Sequence, residues 1–141
     1  RGLFVATGVL IVIFPLLGLF PVNLFILYFY IIMGSGTFSL LGILVGIFCK
    51  KFDQMSAVNN FIIAPLSFLS GTFYSVSMLP APFDAISIFN PVFWLMDGVR
   101  FGALGEAEAN IFFGSLSILF FNLVLFSVVW KWFSVGYFLK D

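Results

Sequence analysis

Side chains able to do chemistry are few enough in this sequence to be weighed one by one. Histidine is absent, which removes the commonest general base and metal ligand near neutral pH. Cys49 stands alone, so the chain has neither an internal disulfide nor a cysteine metal cluster. No G-x-x-x-x-G-K-[ST] occurs; the nearest fragment, Gly42 to Lys51, lacks both the spacing and the hydroxyl. Asp53, Asp84 and Asp97 stand at the edges of apolar runs, so no pair of carboxylates for acid–base work lies within one. Catalysis by this chain, a metal site and a bound cofactor are therefore not expected. The formal net charge of +0 offers no basic field for nucleic acid.

What remains is a set of polar side chains embedded in apolar sequence. On a regular helical wheel Ser56, Asn59, Asn60, Ser67, Ser70, Gly71 and Tyr74 fall within about 120° of one another. Val58, Phe61, Pro65 and Leu69 take the opposite side. Such a stripe on a membrane helix must face protein or a wet cavity. It reads either as the wall of a translocation path or as a seam of interhelical hydrogen bonds. Asp97 and Arg100, three apart, are expected to pair on one helical face. On the preceding run, Ser35, Ser39, Gly42 and Gly46 recur at i, i+4, i+7 and i+11, a small-residue face that lets helices approach closely. That face reads either as a sliding or dimer-forming seam or as static packing.

The elements that carry these residues are membrane helices. Hydrophobic residues make up 62% of the chain and charged ones 9%, with mean hydropathy +1.21, against about 25% charged in ordinary soluble domains. So few charges cannot wrap so apolar a core in water, and the solvent must be largely lipid. About 20 apolar residues cross a bilayer. Four spans are predicted: Gly2–Phe20, kinked at Pro15; Val22–Cys49; Met55–Leu79, with Pro65 inside; and Ile111–Trp130. Between the last two lie two short pieces, Phe83–Phe89 and Pro91–Gly105. Asn90 suits an N-cap, Pro91 the first helical turn and Gly105 a helix end. Neither piece is long enough to span, so together they are expected to form a re-entrant hairpin. The fold class is all-α, a polytopic membrane protein of four transmembrane helices plus that hairpin.

Lys50, Lys51, Asp53 and Gln54 form a charged turn before the third span. With four spans, Arg1, Lys50, Lys51, Lys131 and Lys140 fall on one side of the membrane and Arg100 alone on the other. By the positive-inside rule the Lys50–Gln54 turn and the C-terminus are cytoplasmic, and the hairpin faces outward. The chain opens on Arg1 rather than Met, and an N-terminal part is expected to be missing.

The stretch KKFDQMSAVNNFIIAPLSFLSGTFYSVSMLP, followed by IFNPVFWLMDGVRFG, closely resembles the C-terminal half of the ABC-2 type transporter permeases, in their bacterial multidrug-type branch. The most specific parts are Pro65-Leu66-x-Phe68-Leu69-Ser70-Gly71, Leu79-Pro80, Asn90-Pro91 and Asp97-Gly98-x-Arg100. The resemblance implies that the four spans are the third to sixth helices of a six-helix permease, with Phe83–Gly105 as its outer hairpin. Many members place a proline soon after the aromatic of the fifth helix, where Tyr74 is followed here by Ser75 and Val76.

It further implies the membrane subunit of an ATP-driven exporter in the bacterial inner membrane. Two permease copies, identical or related, would work with two separate ABC ATPase subunits that bind and hydrolyse the ATP. The main ATPase-coupling helix would lie in the missing part, and the cargo would be amphipathic: a drug, a lipid or a lipid-linked saccharide. The rival reading is a non-transporting assembly or anchoring subunit, which needs neither a polar stripe nor broken outer helices.

Overall fold

A computed structural model describes residues 1–18, 20–49, 51–71 and 89–135. Lys50, Tyr74 and the expected Phe83–Phe89 piece up to Ile88 lie outside the described residues. The described elements are α1 (Gly2–Leu17), α2 (Leu24–Phe48), α3 (Phe52–Val58), a π segment (Asn59–Ile63), α4 (Ala64–Phe68), α5 (Pro91–Leu104) and α6 (Ile111–Ser134). Every described element is helical, as the composition requires.

Two of these helices, α2 and α6, are long and apolar enough to cross a membrane unaided. Both begin at an asparagine cap. Asn23 Oδ1 accepts the N–H of Ile26 at 3.2 Å, and Asn110 Oδ1 accepts that of Phe112 at 2.9 Å. The expected first span is shorter than its apolar run: α1 stops at Leu17 because Gly18 turns left-handed at φ 63°. Pro15 sits in its last turn, where a missing N–H and a crowded ring already weaken the helix.

The third span departs furthest from expectation. The apolar run predicts one helix over Met55–Leu79, but the helix starts at Phe52 and its regular part ends at Phe68. Pro65 supplies no N–H for a regular hydrogen bond, and the turn before it widens. The Ala64 N–H reaches back five residues to the Asn59 carbonyl. Beyond Phe68 the helix tightens instead: the Ser70 N–H donates to Ser67 O at 3.3 Å, and Gly71 turns left-handed at φ 76°.

α2 and α6 run parallel and meet at both ends. The node at their first halves is filled by α5, which runs antiparallel to both. Gly102 of α5 lies against the backbone of Leu27, Gly98 against the Tyr30 ring, and Gly34 of α2 against Leu95. Trp94 packs on Gly114 of α6. Tyr30, Leu95 and Ile118 are the buried centre of this node. The Tyr30 hydroxyl donates to Ile111 O at 3.1 Å and lies 3.0 Å from Ser115 Oγ, so the ring cannot swing out without losing both. One level further along, Asn122 Nδ2 donates to Thr37 Oγ1 at 2.9 Å. At the far ends the rings of Phe48 and Trp132 meet edge to face with centroids 4.8 Å apart.

Candidate functional site

α5 begins where the sequence suggests. Asn90 caps it, with Oδ1 accepting the Val92 N–H at 3.0 Å, Pro91 fills the first turn, and Gly105 at φ 81° ends it. Its last carbonyls are taken by the α1–α2 turn: the Asn23 N–H donates to Gly102 O at 3.0 Å and the Val22 N–H to Ala103 O at 3.3 Å. Both ends of this short helix are therefore tied to other parts of the chain.

The charged residues of α5 find partners other than each other. The expected Asp97–Arg100 pair does not form. Asp97 is buried and turns its carboxylate to the loop before α6, accepting the N–H of Glu108 at 2.8 Å and of Ala109 at 3.1 Å. Arg100 Nη1 pairs with Glu108 Oε1 at 2.8 Å, and Nη2 donates to the Gly71 carbonyl at 2.6 Å. Three residues of separation permits a pair, but two loop N–H groups and the Gly71 carbonyl compete for the same charges. Asp97 fixes the backbone of Glu108, and Glu108 in turn fixes the guanidinium.

Asn90 makes a second crossing to the third helix. Its Nδ2 donates to Leu66 O at 2.6 Å. That carbonyl is available because the Ser70 N–H has shifted to Ser67 O. Ser70 is buried, its hydroxyl donating to Ser67 O at 2.5 Å, and the Ser67 hydroxyl donates to Ile63 O at 2.9 Å.

The seven-residue stripe is thereby divided. A π turn takes up about one residue more than an α turn, which rotates the remainder of the helix by about 100°. On one side of it Ser56 is half-buried, and within it Asn59 and Asn60 are exposed. On the other, Ser70 and Gly71 are buried beneath α5. The wheel is regular and the helix is not. Lys51, Asp53 and Gln54 are exposed, and the Lys51 N–H donates to Gln54 Oε1 at 3.3 Å, closing the first turn of α3.

The small-residue face of α2 is not packed within the chain at Gly42 and Gly46, among the described residues. A Cβ added at Gly42 or Gly46 would meet nothing within 4 Å. The close approach is made by Gly98 and Gly102 of α5, where a Cβ on Gly102 would lie 2.6 Å from Leu27 Cα. Gly98-x-x-x-Gly102 is itself a small-x-x-x-small spacing and is legible in the sequence. The partnership of Tyr30 with Ser115 and that of Arg100 with Glu108 have no signal in spacing.

The sequence profile of the ABC-2 type transporter family matches residues 1–104, most of the chain and all of the α2–α5 arrangement. The chain belongs to the ABC-2 type transporter family. Among curated proteins it is 34% identical over 103 residues to the inner membrane transport permease YadH of Escherichia coli (strain K12), covering 72% of this chain and 40% of that one. It is 32% identical over 74 residues to nodulation protein J of Rhizobium leguminosarum bv. viciae, 52% of this chain and 29% of that one. The chain thus spans well under two thirds of the ABC-2 relatives it matches. No solved structure matches it.

Proposed function

We propose that this chain is part of the membrane permease of an ATP-driven exporter in the bacterial inner membrane. Family membership supports the class. Asn59 and Asn60, exposed at the start of the π segment in the middle of the third helix, are the observation that carries the mechanism. An amide facing hydrocarbon is costly, so both must face protein or water once the membrane surrounds the chain. The cargo is amphipathic, its polar part meeting these amides as it passes. Separate ABC ATPase subunits supply the energy, a second permease copy completes the path, and no ATP is bound by this chain.

In this reading α2, α6 and the third helix cross the bilayer, and α5 enters from the outer face and stops part-way. Its 14 residues reach about 21 Å, short of a core about 30 Å thick. The Lys51–Gln54 turn and the C-terminus are cytoplasmic, and Glu106 and Glu108 lie outside.

The test is ATP-dependent uptake into inverted vesicles carrying the full-length permease with its ATPase, using a fluorescent amphipathic cation and a labelled lipid as probes. Asn59→Leu is expected to lower uptake at least tenfold with complex assembly retained. Loss of assembly in step with uptake would make the amides a packing seam. Absence of uptake of either probe by the unaltered complex would favour an anchoring subunit.

A further inference from the structure

The C-terminal end of a helix exposes carbonyls that have no partner within it. At the end of the third helix one of these, Leu66 O, is taken by Asn90, 24 residues away in sequence; Gly71 O, in the turn just past the helix, is taken by Arg100, 29 residues away. Asn90 is 4% exposed, so its bond is shielded from competing water. Arg100 is held in place by Glu108, whose backbone is held by Asp97. The guanidinium also brings positive charge to the negative end of the helix dipole.

We propose that Asn90 and Arg100 are positioning residues that hold the turn Leu69–Gly71, at which the third helix leaves its regular course, and bind the end of its regular part to α5. The α4 turn, bounded by the π segment on one side and this turn on the other, then moves with α5 as one unit. The Leu69–Gly71 turn is thus held from outside the helix. This inference rests on the exporter reading only for its consequence, that movement of the third helix is carried to the outer face through these two bonds.

The side chains allow the bonds to be cut without removing the cap or the ion pair. Asn90→Asp keeps the acceptor that caps α5 and loses the donor to Leu66 O. Arg100→Lys keeps a charge for Glu108 but lacks the second arm that reaches Gly71 O. The experiment is amide hydrogen exchange on the full-length permease with its ATPase in nanodiscs, read peptide by peptide alongside uptake and ATP hydrolysis. Each variant is expected to speed exchange across 66–71 at least tenfold and leave α2 and α6 unchanged. Uptake should fall at least fivefold while ATP hydrolysis continues, so the variants are uncoupled rather than unfolded. Unchanged exchange across 66–71 would overturn the proposal. So would equal loss of protection in α2 and α6, which would mean that the two side chains hold up the fold at large. Faster exchange across 66–71 without any transport by the unaltered complex would uphold the tie and reject the exporter reading instead.

Discussion

The two ends of this bundle are built from the same kinds of residue and packed in opposite ways. Around α5 three helices meet: glycines lie against backbone and rings, Tyr30 and Ile118 are each 1% exposed, and polar groups are bonded across elements. Towards Phe48 and Trp132, among the described residues, two long helices touch through their rings. There Gly42 and Gly46 face open space, and Asn59 and Asn60 lie exposed on the third helix. Small residues bring helices together only where a partner helix is present to approach. A glycine seam is half of an interface, and α5 is the other half at one end alone.

The largest effect that would break this comparison is expected at Gly102. A methyl there presses on the α2 backbone rather than on a flexible side chain, so Gly102→Ala must push α5 off α2. Overpacking of this kind costs about 1–3 kcal/mol, and here it also strains the bond from Asn23 to the Gly102 carbonyl. Folded protein recovered from detergent, followed by thermal unfolding, should drop markedly. Gly98→Ala comes next, because its methyl meets the Tyr30 ring, which its own hydroxyl bonds hold in place. Pairing it with Tyr30→Phe, which frees the ring, should recover part of the loss; a strictly additive double variant would mean that the ring is not the obstacle.

Asp97→Asn is expected to cost about 1–3 kcal/mol, since the amide can accept only one of the two loop N–H groups that the carboxylate now holds. Asn122→Leu removes the interhelical bond to Thr37 and a longer one to Met33 O at 3.4 Å, and Thr37 keeps its own bond to Met33 O. A loss of about 0.6 kcal/mol in thermal unfolding is expected, the average for such bonds in a membrane bundle.

The smallest effect sharpens the comparison. Gly46→Ala in this chain by itself should change unfolding by less than about 0.5 kcal/mol, since the added methyl meets nothing. In the full-length assembly the same change should cost more if another helix covers the open face. Equal and negligible effects in both settings would mean that this face meets lipid.

The range of each interaction decides how much of it is legible in the sequence. The two long helices, the Asn90–Pro91 start of α5 and its end at Gly105 were set by sequence alone, because apolar length, N-caps and left-handed glycines act within a few residues. Pro65 carries a local signal too, its missing N–H, although the apolar run alone predicts one helix straight through it. Tertiary structure decided the rest. It chose a π turn there and split a stripe that a regular wheel draws as one face. It ended the regular helix at Phe68, gave the free Leu66 carbonyl to Asn90 and gave the Gly71 carbonyl of the following turn to Arg100. Asp97 and Arg100 illustrate the reason. Their spacing of three allowed a direct pair, but the partners they took are 8 to 29 residues away and come within reach only after α5 is docked. A charge satisfies whichever group stands nearest in space, and nearness in space is fixed by packing.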